Sequence, residues 1–324
     1  MAVNQTLPRV NPPPENKLSA QRKMPFLSRL WRDSPLLVMV APAVIILLLF
    51  TYIPLLGSVI AFMDYVPFLG FTGSEWVGWA NFSSLFSDTA FWNALWNTAQ
   101  ITFLQIVLFF PVPIVLAVLL NTVAMPLAKR FVQSVIYLPH FLSWVIIVAL
   151  FQQILGGNGV LNRFLITHGL TPLEIMSNPD TFKLLLTTQA IWKDAGWGTI
   201  IFLAAIAAIN PGLYEAATID GAGAWQRFWH VTLPGMRPII VLMLILRLGD
   251  ALTVGFEQIL LQRDAVGPGA AEVLDTFTYF NGVVDGSWGT ATAAGLLKGV
   301  VSLLLVLAAN KLAHRLGEEG VYRR

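Results

Sequence analysis

Six ionisable side chains and two tryptophans stand out in the apolar stretches of this sequence. They are Trp192, Lys193, Asp194, Trp197, Arg247, Asp250, Glu257 and Lys298. A charged group at the centre of a bilayer costs about 2.5 to 3.5 kcal/mol on insertion scales, so such groups face the protein interior or a watery cavity. Because intramembrane ionisable groups are candidates for function, we predict that this set borders a path for a polar solute.

Three of these charges lie in PIIVLMLILRLGDALTVGFEQILL. Asp250 and Glu257 follow Arg247 by three and ten residues, which places all three on one face if the stretch is a continuous helix. Two interpretations remain open for Arg247, which either lines the path or forms a structural ion pair with Asp250 one turn away. Glu257 is nearer the outer end and is predicted to line the pore. Lys193 and Lys298 could instead reach a membrane surface with their long side chains.

The composition requires a membrane to position these groups. Hydrophobic residues make up 56% of the 324 residues, charged residues 12%, and the mean hydropathy is +0.68, whereas soluble domains are about half apolar and a quarter charged. Runs of about 20 apolar residues can cross the hydrocarbon as helices. Six such runs occur, at Leu36–Phe62, Thr98–Leu120, Phe131–Leu155, Leu184–Ile209, Pro238–Leu261 and Thr290–Asn310. The sequence therefore predicts an all-α polytopic membrane protein with six transmembrane helices.

Basic residues indicate the orientation of these helices. With the amino terminus inside, Lys and Arg concentrate in a disordered tail over 1–35, in the two inner loops and in a second tail over 312–324, while the outer side has only Arg163, Lys183 and Arg263. Positive charge is enriched on the cytoplasmic side of membrane proteins. We therefore predict a membrane domain over 36–311 with both termini in the cytoplasm.

One inner loop, EAATIDGAGAWQRFWHVTLP, is unusually long and specific in composition. Asn210 and Pro211 form a helix-start signal, and Gly221 and Gly223 form a stop. We predict two short helices joined by a glycine turn, with Trp225, Phe228 and Trp229 clustered on one side of the second helix. The small residues of the first helix would let another surface approach closely. The other interpretation is a helix that lies at the membrane interface, anchored by tryptophans.

Several functions are disfavoured by what the sequence lacks. No G-x-x-x-x-G-K-[ST] motif occurs, so the chain has no Walker A phosphate cradle. Its four histidines fall in separate segments without zinc-ligand spacing, and it has no cysteine. The net charge of +2 does not suggest a nucleic-acid partner.

The loop also resembles a known signature. Glu215-Ala216-Ala217, Gly221 and Val231-Thr232-Leu233-Pro234 match the EAA pattern of the permease subunits of binding-protein-dependent ABC importers, with Val231 where isoleucine is commonest. The resemblance implies a type I importer permease fold in which element 210–237 is the coupling helix that fits a groove on an ATPase subunit. The residues it assigns to coupling are Glu215, Ala216, Ala217, Asp220, Gly221, Leu233 and Pro234.

The same resemblance implies the partners and the location. It predicts a second homologous permease subunit, two ABC ATPase subunits, a solute-binding protein loaded with sugar, and contact with membrane lipid in a bacterial inner membrane. ATP and Mg would be bound by the ATPase subunits, so this chain would bind no cofactor. Transport would proceed by alternating access, and the chain would not itself be an enzyme.

Further segments, among them YIPLLGSVIAFMDY and YLPHFLSWVII, resemble the branch of that family that imports oligosaccharides and polysaccharide fragments, and fragments of alginate are one suggested substrate. Sugars have hydroxyl edges and apolar CH faces, which the predicted path could contact with its charged and aromatic groups. QRDAVGPGAAE departs from the usual pattern of that branch. Two other classes remain open, an ion-coupled secondary transporter and an intramembrane enzyme that uses Asp250 and Glu257 as acid and base.

Overall fold

The computed structural model describes residues 33–315, 317–318 and 320–322, and these residues are predominantly helical. Most of the predicted amino-terminal tail, residues 1–32, lies outside the described residues. The chain divides into two compact units at Gly57. In the first unit, the helix Ser34–Leu47 continues through a π-helical turn, Leu48–Tyr52, into Ile53–Leu56, and its apolar side chains are exposed.

Six helical stretches in the described chain are long and apolar enough to cross a membrane, which confirms the predicted number. Spans 1 to 6 are Ser34–Phe62, Thr89–Thr122, Trp144–Thr167, Phe182–Ala207, Ala224–Gly249 and Trp288–Arg315. Span 6 extends by helix into residues that we predicted to be the carboxy-terminal tail. Beyond the span, Glu318 pairs with Arg237 at 2.8 Å and the backbone of Tyr322 accepts a hydrogen bond from His314.

Short elements connect the spans. Strands β1, Met63–Asp64, and β2, Glu75–Trp76, pair antiparallel with Met63 opposite Trp76. The connecting helices are α1 Gly70–Gly73, α2 Ala80–Ser87, α3 Pro126–Tyr137, α4 Pro211–Ile219, α5 Phe256–Leu260, α6 Arg263–Val266, α7 Pro268–Ala271 and α8 Leu274–Tyr279. Shorter 3-10 segments are Gly57–Phe62 and Leu138–Phe141, and α8 continues as a π-helical turn over Phe280–Val284.

Prolines set the local geometry of three spans. The π-helical turns Leu48–Tyr52, Gln105–Phe109 and Phe228–Thr232 each end two residues before a proline, at Pro54, Pro111 and Pro234. A proline ring clashes with the carbonyl four residues earlier and lacks the amide hydrogen that would bond to it. The wider π turn absorbs this clash, and in span 2 the amide of Phe110 bonds to the carbonyl of Gln105 at 3.0 Å.

Span 3 differs from the prediction. The predicted helix from Phe131 to Leu155 is interrupted over 138–143, where the 3-10 segment Leu138–Phe141 separates α3 from a new helix that begins at Trp144. Pro139 ends the first helix, and the hydroxyl of Ser143 accepts a hydrogen bond from the amide of Ile146, which caps the second. The apolar composition was continuous, but these local signals override it.

The core of the second unit forms around span 4, the most buried of the six spans. Its side chains contribute to two apolar clusters. One contains Phe182 and Leu186 with Ile101 of span 2 and Ile259 of α5, and the other contains Phe202 and Met236 at the opposite end of the span. A third cluster, around Phe91 and Phe277, joins span 2 to α8 and span 6. Span 4 therefore takes part in the apolar core at both of its ends.

Candidate functional site

The loop that carries the signature begins as predicted. Asn210 caps α4 by accepting a hydrogen bond from the amide of Gly212 at 2.9 Å, and Pro211 occupies the first helical turn. Gly221 ends the helix with a φ of +77°, a conformation that disfavours residues with a Cβ. Two backbone bonds close the end, from Ala222 to Ala217 at 2.9 Å and from Gly221 to Thr218 at 3.1 Å. The predicted helix and glycine turn are thus confirmed.

The second half of the loop requires a correction. We predicted a second short helix after the glycine turn, but the helix that begins at Ala224 continues through the π turn Phe228–Thr232 to Gly249. Leu233 and Pro234 of the signature lie inside this continuous helix. Because the π turn accommodates Pro234, the helix passes from the loop into span 5 without a break.

The loop presents an apolar surface while being tied to span 5. Ile219 is 87% exposed and Trp225 is 71% exposed. The rings of Trp225, Phe228 and Trp229 pack together as predicted, with centroids 5.4 to 5.8 Å apart. Tyr214 and Thr232 share a hydrogen bond of 3.0 Å between their hydroxyls. We call residues 210–237 the coupling element, after the role that the resemblance implies for them.

Most of the seven residues that the resemblance assigns to coupling lie on the outside of the coupling element. Ala217 and Leu233 are half-buried. The other five are exposed: Glu215, Ala216, Asp220, Gly221 and Pro234. A shallow depression of about 440 Å³ lies beside them and is lined by Tyr214, Glu215, Thr218 and Ile219. The element therefore offers both a protruding apolar surface and a recess.

Span 5 ends earlier than predicted. The prediction that Arg247, Asp250 and Glu257 share one face of a continuous helix is therefore wrong. The helix stops at Gly249, Asp250 is its cap, and residues 251–255 are non-helical before α5 begins at Phe256. Gly255 permits this non-helical backbone conformation with a φ of +102°. Arg247 and Glu257 therefore lie on different helices, and Asp250 and Glu257 are both exposed.

Arg247 also has a different partner from the one predicted. Its guanidinium donates a hydrogen bond to the side-chain oxygen of Gln105 in span 2 and lies 5.6 Å from the ring of Phe109. Among the described residues, no ion pair joins Arg247 to Asp250. Gln105 begins the π turn of span 2, a type of irregularity that frequently marks functional sites.

A cavity of about 170 Å³ lies where spans 2, 3, 4 and 5 meet, and we call it the span 5 cavity. The break in span 5 forms part of its wall through residues 253–255. Its other main side chains are Gln105, Phe109, Trp144, Asp194, Arg247 and Gln258. Hydrogen-bonding groups and two aromatic rings therefore converge on one space, which is the usual arrangement of a small-molecule site.

Lys193 and Asp194 stabilise the interruption over 138–143, which lies between α3 and span 3. The ammonium group of Lys193 donates to the carbonyls of His140 and Leu142 at 2.9 and 2.5 Å, and Asp194 pairs with His140 Nδ1 at 2.8 Å. The His140 ring stacks on Trp197 with centroids 4.5 Å apart. Lys193 is thus used in satisfying the carbonyls of the break, and Asp194 is shared between this contact and the span 5 cavity.

The remaining predicted path residues lie outside the span 5 cavity. Trp192 contacts Phe151 edge to face at 5.8 Å. Lys298 pairs with Asp275 of α8. Glu257 and Asp250 do not line the cavity. Of the eight side chains predicted to border one path, Asp194 and Arg247 line the span 5 cavity.

Several polar residues in or near the cavity were not predicted from the sequence. Gln105 is the one strongly polar residue in ITFLQIVLFF, and that signal could have identified it. His140 was considered only as a zinc ligand, although YLPHFLS places it beside a helix-breaking proline. Buried Gln189, Gln258 and Gln262 exchange amide hydrogen bonds of 2.8 to 3.0 Å that fix α5 to span 4, and no spacing in the sequence indicates that cluster.

Gly196 allows close contact between span 4 and the last turn of α3, which yields a prediction. A methyl group at Gly196 would overlap the backbone carbonyl of Ile136, whereas one at Gly295 of span 6 would meet open space. Overpacking costs about 1 to 3 kcal/mol, while alanine in place of an unconstrained helical glycine gains about 0.5 to 1 kcal/mol. We expect Gly196→Ala to lower the unfolding temperature of the subunit purified in detergent, and Gly295→Ala to keep or raise it. Equal unfolding temperatures for the two variants would contradict the close contact.

Known proteins with similar sequences and structures identify the family. Residues 109–318 match the family described as the binding-protein-dependent transport system inner membrane component. The chain is 45% identical over 303 residues to the polygalacturonan/rhamnogalacturonan transport system permease protein YteP of Bacillus subtilis, covering 93% of this chain and 94% of that protein. It is 29% identical over 283 residues to the arabinooligosaccharides transport system permease protein AraP of the same organism, covering 86% and 88%.

A solved structure agrees with these relatives. One chain of a bacterial alginate ABC transporter, crystallised in complex with an alginate pentasaccharide-bound periplasmic protein, superimposes with a TM-score of 0.84. That chain is 37% identical in sequence, and the match covers 91% of this chain and 99% of that one. The chain therefore belongs to the family of binding-protein-dependent transport system inner membrane components, and it is a sugar ABC transporter permease with six membrane-spanning helices.

Proposed function

We propose that this chain is one of two permease subunits of an ATP-driven importer that moves oligosaccharides into the cytoplasm by alternating access. One observation carries this proposal, which is that a single helix connects the coupling element to the span 5 cavity. The helix runs from Ala224 to Gly249 and includes Arg247 near its end. At 1.5 Å per residue, this helix transmits a displacement at Trp225 over about 33 Å to Arg247.

The break after Gly249 supports a path for a polar solute at this place. Non-helical backbone at membrane depth is tolerated where it is buried in protein or lines a watery cavity, and interrupted helices form the substrate sites of many transporters. Residues 253–255 line the span 5 cavity. The rings of Phe109 and Trp144 can stack on apolar sugar faces, and the amide, carboxylate and guanidinium groups can bond hydroxyls.

The substrate class follows from the relatives. YteP is named for polygalacturonan and rhamnogalacturonan, AraP for arabinooligosaccharides, and the superimposed structure for alginate. We propose that this chain carries oligosaccharides or polysaccharide fragments of that kind, with fragments of alginate among the candidates.

The partners follow from the same mechanism. A second homologous permease completes the pathway, and two ATPase subunits bind ATP and Mg and move the coupling elements, of which Ile219 and Trp225 are the exposed contacts here. A sugar-loaded binding protein delivers the substrate from outside. This chain makes no covalent bond and binds no cofactor.

An ion-coupled secondary transporter is the second candidate. Such a transporter would need no ATPase partner. The exposed coupling element, which a hydrogen bond joins to span 5, would then have no role in transport. The experiment that separates the two uses the complex reconstituted in lipid vesicles, with uptake of a panel of labelled oligosaccharides followed in the presence and absence of binding protein and ATP. The importer requires both for every transported sugar.

The proposed orientation, with both termini in the cytoplasm, gives a labelling prediction. The native chain has no cysteine, so single cysteines can be introduced at exposed positions, Ser87 and Asp285 outside and Thr218 inside. A membrane-impermeant thiol reagent added from the periplasmic side should label Ser87→Cys and Asp285→Cys and should leave Thr218→Cys unlabelled until the membrane is permeabilised. Labelling of Thr218→Cys in intact membranes would refute the orientation.

A further inference from the structure

We infer that Arg247 is the specificity-determining residue of the span 5 cavity, and that it selects sugars bearing a carboxylate, such as uronic acids. This inference rests on the proposed function, because it assigns the chemistry of the solute that passes this cavity. A neutral sugar would need hydrogen-bonding groups alone, whereas the cavity wall contains a guanidinium group from span 5. The geometry around that group decides what it can bind.

The guanidinium group of Arg247 has hydrogen-bond donors available for a ligand. A guanidinium group carries five N–H donors in a planar fork that fits a carboxylate with two parallel hydrogen bonds. In the described part of the chain, one hydrogen bond of the Arg247 side chain is found, to the oxygen of Gln105. Gln105 is buried, and Phe109 lies against the guanidinium at 5.6 Å. These two contacts hold the group in place and leave donors available to a ligand.

The nearby acids do not occupy those donors. Asp194 and Asp250 both interact electrostatically with Arg247, but Asp194 makes its close contact with His140 at 2.8 Å, and Asp250 is exposed on the cap of span 5. They stabilise the charged guanidinium at membrane depth without forming the fork-to-fork pair that would block it. Their repulsion of an incoming carboxylate also keeps its binding weak, which suits a site that must release its solute.

The rest of the span 5 cavity suits the remainder of a uronic acid. The carboxylate of such a sugar projects from a ring that also has hydroxyls and an apolar face. Phe109 and Trp144 provide aromatic surfaces beside Arg247, and the Gln258 side chain provides a further polar group. Lys193 is excluded from this role because its ammonium group is held by two backbone carbonyls.

The test compares binding of two probes to the nucleotide-free complex in detergent, without binding protein. The probes are a labelled oligomer of galacturonic acid and a neutral oligomer of galactose of the same length. We expect wild type to prefer the acidic probe, and Arg247→Gln to lower its affinity for that probe by about tenfold or more while changing the affinity for the neutral probe less than about twofold. Arg130→Gln removes an exposed positive charge away from the cavity and should retain the preference.

A second variant keeps the test valid if Arg247→Gln does not assemble. Gln105→Glu is isosteric and would place a carboxylate where Gln105 now accepts from Arg247, so it should also abolish the preference by occupying the guanidinium. Equal affinity of the two probes in wild type, or an equal loss of both in either variant, would overturn the inference. ATP-driven uptake by the wild-type complex is measured beside it. If ATP-driven uptake is observed but binding shows no preference for the acidic probe, the inference fails and the proposed function stands. If no sugar is taken up, the proposed function fails.

Discussion

Replacing Gly221 by tryptophan is expected to uncouple ATP hydrolysis from sugar uptake while leaving the subunit folded and assembled. Gly221 is exposed at the end of α4, and a Cβ placed there meets no atom of this chain within 4 Å. A tryptophan would therefore project into the space that we assign to the ATPase groove. We expect ATP-driven uptake in vesicles to fall by about tenfold or more, corresponding to about 1.4 kcal/mol or more of lost coupling.

The chain provides a closely matched control for this variant. Gly169 also has a positive φ, +71°, and a Cβ added there would meet no atom within 4 Å. It closes a helix with the same pair of backbone hydrogen bonds, from the amide of Leu170 to the carbonyl of Leu165 and from the amide of Gly169 to the carbonyl of Ile166. Gly169→Trp therefore imposes the same backbone strain outside the coupling element. Uptake near the wild-type rate is expected for it. If both variants lost uptake to the same extent, strain rather than the ATPase contact would explain the loss.

Much of the architecture was predictable because composition and local signals act over short distances. Six apolar runs predicted six spans, since each must bury or present about 20 apolar residues to lipid. Asn210, Pro211 and Gly221 predicted the start and end of α4, because capping and positive φ depend on the residue itself. The signature of the coupling element likewise depends on neighbouring residues, so one sequence was enough to identify it.

The wrong predictions concern segments in which the apolar composition is continuous but the helix is interrupted. Span 5 was predicted to extend to Leu261, because LRLGDALTVGFEQILL stays apolar on average, yet the helix ends at Gly249. The same holds for the run that was predicted as the third span, Phe131–Leu155, in which Pro139 and Ser143 interrupt the helix. An apolar average reports that a segment can lie in lipid and says nothing about where its helix stops.

The cavity's contacts could not be derived for a different reason. Arg247 bonds to Gln105, which is 142 residues away in sequence, and Lys193 bonds to carbonyls exposed by a break that was not predicted. Such pairings depend on which spans are neighbours and on how far each is rotated. Helical periodicity gave Arg247 a plausible partner in Asp250, but the position of span 2 decides the actual one.

The dependence of uptake on the ATPase subunits distinguishes an ATP-driven importer from an ion-coupled carrier. We propose that this chain is a passive translocation subunit whose coupling element transmits force from ATP hydrolysis. Vesicles should contain the two permeases with or without the ATPase subunits, supplied with loaded binding protein outside and ATP on the ATPase side. Ion gradients are collapsed by an ionophore in one arm and imposed without ATP in another.

We predict concentrative uptake of labelled oligosaccharide in vesicles that contain the ATPase subunits and ATP, with the same rate when ion gradients are collapsed. Vesicles without the ATPase subunits should show no concentrative uptake under an imposed proton or sodium gradient. Concentrative uptake driven by such a gradient without ATPase subunits would contradict the account and would identify an ion-coupled carrier instead.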